Sequence, residues 1–422
     1  MNAMVGFRCV VCGDTFGPDF EGYVCPKHGY EGILDVIYDY EAIGHSTSPT
    51  TLAQDRDTTM WRYRSLMPVD PATPVPPLAV GGTPMYDAPR IAGDLGVRRV
   101  WVKDDGRQPT ASLKDRASAM AVVKATERGA TVVTTASTGN AAAALAGISA
   151  SVAMRSVIFV PAAAPEAKVA QLLAYGSTVA LVNGSYRDAF DLSMEAAEAY
   201  GWYNRNTGFN PFMTEGKKTA GLEILESLDW RPPDAVFVSV GDGSIIGGLH
   251  KAVKDARALG WVDRSPRIFG VQSAGSDFMV QAFESGEDVL TKEPIDADTI
   301  ADSISADLPR DRIKAMAAVV ETGGAYLRVT DAEILASIPE LARGSGVFAE
   351  PAGAAPLAGA KEAADRGLIG SGDEVVLLVT GSGLKDVRSA MRAVADVGTE
   401  PMRVDPSLAA LESALANRKD RP

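Results

Sequence analysis

The sequence contains few of the residues that most hydrolytic and metal-dependent active sites use. Its 422 residues include three cysteines and three histidines, and four of these six side chains lie within positions 9–28. A catalytic Cys/His pair or a Ser/His/Asp triad would therefore need His45 or His250, or a residue from the first cluster. The sequence thus disfavours these classes of enzyme.

The sequence also lacks a targeting signal and a long apolar run. No secretory signal pattern precedes Cys9. The most apolar stretches, 141–150 and 375–379, are much shorter than the roughly 20 residues of a membrane helix. The 41 basic and 54 acidic side chains give a net charge of −13, which disfavours nucleic acid and anionic membrane surfaces as partners. We expect a cytoplasmic protein that acts on a small molecule.

The clustered cysteines and histidine predict a metal site. Cys9 and Cys12 are separated by two residues, as are Cys25 and His28, and a glycine follows each pair. This spacing lets both ligands of a pair reach one ion. Three thiolates and one imidazole would fill a tetrahedral zinc shell and leave no place for a catalytic water. We therefore predict a structural zinc ribbon over residues 1–45, with ordinary thiols as the alternative.

The rest of the chain alternates between short β-branched runs and helical patterns, and its length predicts two or three domains. The predicted strands are 100–102, 132–134, 157–160, 178–182, 235–240, 268–271 and 375–379. Helical patterns such as 188–200 and 217–228 lie between most of them. This alternation predicts an α/β fold whose parallel sheets are covered by helices on both faces. A proline-rich connector spans 68–77, and we expect a loosely held tail after position 397.

Three unusual loops follow predicted strands, and ligands of parallel sheets bind at the carboxyl ends of the strands. Hydroxyl and amide side chains at 134–140 suit a carboxylate at a helix start. Four glycines within 241–248 suit a phosphate, without the lysine or the spacing of a nucleotide-binding loop. The third loop is 380–386. Taken alone, each loop is also consistent with ordinary turn geometry.

Lys114 supplies the nucleophile that these loops lack. It lies among small and hydroxyl residues at a predicted helix start, where burial and the helix dipole both favour the neutral amine. A neutral lysine attacks carbonyl groups, although a single lysine is more typical of a solvated surface. A lysine, a glycine-rich phosphate loop and a hydroxyl for a ring nitrogen together indicate a pyridoxal phosphate site.

From about residue 81 to residue 386 the chain resembles the fold-type II pyridoxal-phosphate enzymes, and among them the threonine synthases. The motifs are Pro-Thr-x-Ser-x-Lys-Asp-Arg ending at 116, Ser-Thr-Gly-Asn at 137–140, Glu-Gly-Lys-Lys-Thr at 215–219, Glu-Pro-Ala-Gly-Ala-Ala at 350–355 and Thr-Gly-Ser-Gly-Leu-Lys-Asp at 380–386. The resemblance implies a homodimer whose subunits have two doubly wound parallel-sheet lobes. The large cofactor-binding lobe would comprise 46–108 and 206–397, the small lobe 109–205, and the tail 398–422.

The resemblance also implies a role for individual residues. Lys114 would hold the cofactor covalently and move the substrate Cα proton, Asn140 would bond the 3′-oxygen of the cofactor ring, and Thr380 would face its pyridine nitrogen. The cofactor phosphate would bind the loop formed by Gly241, Asp242, Gly243, Ser244 and Ile245. The substrate carboxylate would bind Ser137, Thr138 and Gly139. A neutral hydroxyl at the pyridine nitrogen favours elimination and replacement over transamination or racemisation.

The chain departs from the threonine synthase pattern where that family contacts the substrate phosphate. Ala141, Gly208 and Met213 stand where the family typically has Thr, Ser and Arg. Each charge-assisted hydrogen bond is worth roughly 1.5–3 kcal/mol, so the loss would be large unless another group replaced it. Lys217, where the family usually has Gln, is the predicted replacement.

Three functions therefore stay open. The first is a threonine synthase, a carbon–oxygen lyase that converts O-phosphohomoserine to threonine and phosphate, with Lys217 binding the substrate phosphate. The second is a β-eliminating or β-replacing lyase, such as a threonine or serine dehydratase, that acts on a non-phosphorylated amino acid. The third, a binding or regulatory protein without catalysis, is disfavoured because Lys114, Asn140 and Thr380 are all present.

Overall fold

The chain builds three sheets, described by a computed structural model over residues 3–137, 139–164, 166–396, 398 and 401–419. The strands are β1 (Met4–Cys9), β2 (Thr15–Phe16), β3 (Leu34–Tyr38), β4 (Met85–Asp87), β5 (Arg99–Asp104), β6 (Val132–Ala136), β7 (Arg155–Pro161), β8 (Thr178–Val182), β9 (Tyr203–Asn204), β10 (Ala235–Ser239), β11 (Arg267–Ser273), β12 (Tyr326–Val329) and β13 (Glu374–Val379). Together they form an amino-terminal ribbon, a large sheet and a small sheet.

Helices connect and cover these strands. They are α1 (Tyr40–Ser46), α2 (Pro49–Gln54), α3 (Pro89–Leu95), α4 (Lys114–Glu127), α5 (Asn140–Ser151), α6 (Glu166–Ala174), α7 (Tyr186–Tyr200), α8 (Phe212–Ser227), α9 (Ser244–Ala258), α10 (Phe278–Ser285), α11 (Arg312–Val320), α12 (Asp331–Ser345), α13 (Pro351–Asp365), α14 (Val387–Asp396) and α15 (Leu408–Lys419). Short 3-10 segments occur at Gly29–Glu31, Met60–Leu66, Asp105–Arg107, Asp302–Ile304 and Gly383–Lys385.

The large sheet has the strand order β12-β11-β10-β13-β5-β4, and all of its strands are parallel except β4. Alternate residues of its central strands enter different cores, because successive side chains of a strand point to opposite faces. Phe237 packs with α12 and α13, whereas Val236 and Val238 pack with α9 and α11. Burial on both faces explains why β10 and β13 are continuous apolar runs in the sequence.

The small sheet has the order β8-β7-β6-β9 and is entirely parallel. Its strands lie within the predicted small lobe of 109–205, and the large sheet takes its strands from either side of that segment. The predicted α/β fold with two parallel sheets covered by helices is therefore confirmed. The lobe boundaries themselves stay predictions.

The sequence pattern missed the strands β4, β9 and β12 and the exposed helix α15 within the predicted tail. It also placed the start of α7 two residues late. Ser185 and Asp188 form a reciprocal capping box at that start, which fixes the first turn of the helix. Among the described residues, no helix combines the length and the apolar character that crossing a membrane requires.

Candidate active site

The catalytic lysine predicted from the sequence is the first residue of α4. The turn before it is held by the Asp115 carboxylate, which accepts hydrogen bonds from the Thr110 hydroxyl and, at 2.6 Å, from the Thr110 amide. The next side chain, Arg116, is buried and pairs with Asp105 at 2.7 Å and with Glu223 at 2.6 Å. These residues of the motif therefore fix the turn structurally, and Lys114 is left to line a cavity.

The cavity, whose empty space together with the adjoining open solvent is about 280 Å³, unites most of the predicted cofactor site. Its lining residues are Lys114, Lys217, Ser239, Gly241, Asp242, Gly243, Ser244, Ile245, Ile246, Ser303 and Ile304. All five residues predicted to bind the cofactor phosphate thus face the same space as the predicted nucleophile. Ser239 Oγ and Asp242 Oδ2 are buried there without a hydrogen-bond partner among the described residues. Such orphaned polar atoms fit a polar ligand.

The glycine loop between β10 and α9 needs its glycines to pack closely. A Cβ on Gly243, whose φ is +91°, would lie 3.0 Å from the Asp311 carbonyl oxygen, and one on Gly241 would lie 2.7 Å from Ile304 Cα. The loop ends where α9 begins at Ser244. The first amides of a helix have no partner within the helix and favour an anion. The structure therefore presents a phosphate-binding geometry opposite Lys114.

Lys217 and Arg205 are buried and Lys114 is half-buried, and this burial perturbs the protonation of the two lysines. Burial, and after it the charge of Arg205, lower the pKa of Lys114 from 10.5 to about 8, whereas Asp242 and Glu350 act in the opposite direction. Burial and the charges of Lys114 and Arg205 also hold the pKa of Lys217 well below its ordinary value. A substantial neutral fraction of Lys114 at neutral pH is the state that a carbonyl-attacking amine requires.

Lys217 lies against the glycine loop. Its Nζ donates a 2.7 Å hydrogen bond to Ser244 Oγ at the start of α9, and its side chain is buried. This geometry puts the ammonium beside the predicted cofactor phosphate. The sequence-based assignment of Lys217 to the substrate phosphate stays a prediction.

The asparagine loop faces the site from the small sheet. Asn140 is the first residue of α5, and its Nδ2 donates to Glu350 Oε1 at 2.7 Å and to Ser303 Oγ at 3.3 Å. Burial raises the pKa of Glu350 to about 7, against the lowering effect of the bond from Asn140. The role of Glu350 was missed from the sequence, although its Glu-Pro-Ala-Gly motif was a signal. Glu350 links the two lobes beside the predicted cofactor ring.

Ser137, Gly139 and Thr380 are not among the residues that line the cavity. The Ser137 hydroxyl accepts a 3.1 Å hydrogen bond from the Gly139 amide, while the space around Gly139 Cα is open. The Thr380 carbonyl accepts a 2.9 Å hydrogen bond from the Leu113 amide, one residue before Lys114. Thr138 lies outside the described residues. The structure thus brings the end of β13 to the start of α4.

The departures from the family pattern have structural reasons. Gly208 has a φ of +72°, and a Cβ there would come 2.1 Å from the Cβ of Arg310, so no larger side chain fits. Met213 is fully buried and belongs to an apolar cluster that includes Phe212. Neither position can therefore offer a side chain to a substrate phosphate.

Sequence reasoning also missed Arg205, which directly follows β9. Its side chain is buried, and its backbone N–H donates to the Thr134 carbonyl at 2.9 Å. The Asn206 side chain then accepts hydrogen bonds from the Thr135 hydroxyl and the Ala136 amide. Recognising the two-residue strand β9 would have placed Arg205 at the ligand-binding edge of the small sheet.

The amino-terminal cluster has the arrangement of a closed metal site. The ligand atoms of Cys9, Cys12, Cys25 and His28 all lie within 4.8 Å of one another. The Cys12 and Cys25 sulfurs are 4.0 Å apart, and the Cys25 sulfur is 3.6 Å from His28 Nδ1. Tetrahedral zinc–thiolate bonds of about 2.3 Å give sulfur–sulfur distances of about 3.8 Å. The spacing of the four ligand atoms is therefore close to that of a tetrahedral zinc site.

The ribbon also contacts the helix that supports the glycine loop. Lys314 of α11 pairs with Asp35 at 2.9 Å and donates to the Leu34 carbonyl at 2.7 Å. At the start of the same helix, the Asp311 amide donates to the Asp242 carbonyl at 2.9 Å. A continuous chain of polar contacts thus runs from the ribbon to the phosphate loop.

A half-buried lysine of lowered pKa that shares a cavity with a glycine-rich loop, at the strand ends of an α/β fold, is typical of a pyridoxal-phosphate enzyme. The family described as "Pyridoxal-phosphate dependent enzyme" matches residues 77–381, and the chain therefore belongs to this family. Its relatives include the threonine synthase of Methanosarcina acetivorans, which is 37% identical over 415 residues, with 98% of this chain and 99% of that protein covered.

Two further comparisons agree with this placement. The threonine synthase of Methanocaldococcus jannaschii is 36% identical over 411 residues, which cover 97% of this chain and 98% of that protein. Among solved structures, the processed form of threonine deaminase isoform 2 from Solanum lycopersicum has a TM-score of 0.64 at 23% identity, covering 74% of this chain and 83% of that chain. The last similarity concerns the fold alone. The resemblance seen in the sequence motifs is thus confirmed.

Proposed function

We propose that this protein is a threonine synthase, which converts O-phosphohomoserine to threonine and inorganic phosphate. The observation that carries the proposal is the shared cavity of Lys114 and the glycine loop, in a chain that aligns over nearly its full length with threonine synthases. The dehydratase alternative rests on Ala141, Gly208 and Met213. The buried guanidinium of Arg205 weighs against that alternative, because a hydroxy amino acid carries no second anion for it.

The cavity residues fit pyridoxal phosphate. The cofactor, when bound, supplies a reactive aldehyde and an electron sink for a negative charge at the substrate Cα. Lys114 holds it and carries the proton between substrate carbons, as the lowered pKa of its amine allows. The amides of 241–245, together with Lys217, hold its phosphate. Asn140 and Thr380 orient its ring.

The asparagine loop binds the substrate carboxylate in this proposal. Ser137, Thr138 and Gly139 directly precede α5 in the sequence, and the first amides of that helix and its dipole favour an anion. The reaction consumes one water molecule, whose oxygen becomes the hydroxyl group of threonine when the phosphate leaves, so the site has to admit water beside the substrate. The Asn140–Glu350 bond connects that loop to the large lobe.

The remaining assignments concern the whole protein. A structural zinc ion held by Cys9, Cys12, Cys25 and His28 is supported by the spacing of their ligand atoms. A cytoplasmic location is supported by the three cysteines, which cannot pair completely and which a reducing compartment keeps as thiolate ligands rather than disulfides. A homodimer is supported by the family resemblance. Metal analysis of the purified protein and its sedimentation in solution test the zinc ion and the dimer.

The test of function compares two substrates on one enzyme preparation. Purified protein is supplied with pyridoxal phosphate and given O-phospho-L-homoserine, and both threonine and inorganic phosphate are measured. We expect equimolar release of the two products, abolished in Lys114→Ala and retained in the matched surface control Lys361→Ala. Release of ammonia and a 2-oxoacid from L-threonine or L-serine, with no phosphate release from O-phosphohomoserine, would establish the dehydratase instead.

A further inference from the structure

A buried arginine without an acidic partner lies beside the predicted catalytic lysine. Arg205 is 1% exposed. Its Nε donates to Ser118 Oγ at 3.3 Å and its Nη1 to Thr207 Oγ1 at 3.1 Å, while its Nη2 is buried with no hydrogen-bond partner among the described residues. None of the ion pairs found between described residues includes Arg205. The guanidinium thus has a positive charge and an N–H donor that are both available to a ligand.

The contacts of Arg205 place it at the substrate side of the site. Ser118 follows Lys114 by four residues on α4, so both side chains lie on the same helix face. The Arg205 backbone is bonded to Thr134 on β6, the strand that leads into the asparagine loop. The contacts of Arg205 thus join the helix that carries Lys114 to the strand that leads into the loop that we assign to the substrate carboxylate. The effect of its charge on the pKa of Lys114 agrees with this proximity.

An uncompensated buried guanidinium destabilises a folded protein unless a ligand supplies the missing charge. The cofactor phosphate has its own site at the glycine loop, where Ser244 and Lys217 meet. The substrate carboxylate has the hydroxyl groups and amides of the asparagine loop. In the proposed reaction one further anion remains, the phosphate ester of the substrate. A planar guanidinium binds a phosphate through two parallel hydrogen bonds.

We propose that Arg205 binds the phosphoryl group of the substrate and thereby replaces the arginine that the family carries at the position of Met213. The inference rests on the proposed function. It explains how the chain tolerates the burial of Met213 in an apolar core and the loss of the hydroxyl at Gly208. The cation is supplied from the end of β9 instead of from the start of α8.

The test measures anion binding separately from turnover. Cofactor-loaded Arg205→Met is titrated with inorganic phosphate, and binding is measured by calorimetry. The same variant is titrated with L-2-aminobutyrate, which has the amine and carboxylate of the substrate but no phosphate, and binding is measured by the absorbance of the cofactor. We expect phosphate affinity to fall roughly 10–150-fold, equivalent to one charge-assisted contact, and 2-aminobutyrate affinity to change less than twofold. Arg205→Lys should lie between wild type and Arg205→Met. The matched control Arg257→Met, an exposed arginine on α9, should bind both ligands like wild type.

Each other outcome counts against the proposal. Unchanged phosphate affinity refutes it, and equal weakening of both ligands would assign Arg205 to the carboxylate or to the general shape of the site. A fall in cofactor content would assign it to the cofactor phosphate. If Arg205→Met does not fold, Thr207→Val is used instead, because it removes only the hydroxyl that accepts from Arg205 Nη1. We expect Thr207→Val to weaken phosphate binding severalfold, and an unchanged affinity in this variant refutes the proposal. A wild type that binds phosphate through Arg205 but makes no threonine contradicts the proposed function alone.

Discussion

The pKa of Lys114 should set the pH at which the apoenzyme takes up its cofactor. Only the neutral amine attacks an aldehyde, and burial together with Arg205 lowers the pKa of Lys114 from 10.5 to about 8. At pH 7 about 10% of such an amine is neutral, roughly 300-fold more than for a lysine at its ordinary pKa. The rate of cofactor uptake should therefore rise as the pH climbs through 8 and level off above 9.

Stopped-flow mixing of apoenzyme with pyridoxal phosphate between pH 6 and 10 measures this rate through the visible absorbance of the bound cofactor. Pyridoxal, which lacks the phosphate, is run in parallel to remove the effect of the cofactor's own phosphate ionisation. Two variants test the cause of the shift. Arg205→Met removes a cation and should raise the midpoint, whereas Asp242→Asn removes an anion and should lower it. A midpoint near 10.5 in wild type, or shifts of the opposite sign in the variants, would refute the electrostatic reasoning.

Three further predictions follow from other parts of the molecule. Removing the proposed zinc ion with a chelator, or mutating Cys25→Ala, should weaken cofactor affinity severalfold in equilibrium dialysis, because the ribbon contacts α11, which packs on the glycine loop. The pKa of Glu350 is about 7 in the folded protein and 4.5 in the unfolded chain. The free energy of unfolding of the wild type should therefore fall by up to about 3 kcal/mol as the pH rises from 4.5 to 7. Urea unfolding of Glu350→Gln should lack that fall. Gly208→Ser should destabilise the protein by about 1–3 kcal/mol in thermal unfolding, without improving phosphate affinity, because its φ is positive and Arg310 occupies the space.

The parts of the site that could be predicted from sequence are those carried by a short segment. The zinc-ligand spacing, the glycine loop before α9 and Lys114 at the start of α4 each follow from fewer than about 20 consecutive residues. Local hydrogen bonding such as that between Thr110 and Asp115 then reproduces the predicted turn. The buried parallel strands were equally predictable from the sequence. Because both faces of such a strand are buried, its sequence is a continuous apolar run without polar residues.

The parts that were missed depend on contacts between distant segments. Arg205 meets Ser118, 87 residues earlier, and Asn140 meets Glu350, 210 residues later. No pattern within a short stretch of sequence predicts such a contact. The edge strands β4 and β12 were missed because they have only three and four residues and are half exposed or adjoin charged side chains. Lys217 is a similar case. A lysine at this position predicts a bound anion, but only the hydrogen bond from Lys217 to Ser244 indicates that this anion is the cofactor phosphate.

The charge distribution of the molecule also indicates that the site binds two anions. The chain has a net charge of −13, yet the half-buried Lys114 and the buried Lys217 and Arg205 lie in one site, and Asp242 is the carboxylate whose charge opposes all three. Beyond about 8 Å in physiological salt the negative exterior is screened, so it neither attracts nor strongly repels a phosphate ester. Inside the cavity the low dielectric strengthens each cation–phosphate contact. Because one dianion cannot satisfy cations on both the glycine-loop side and the β9 side, the apoenzyme should be stabilised by phosphate in two steps. The second step should depend on Arg205, since that cation keeps an unused donor when the first site is full.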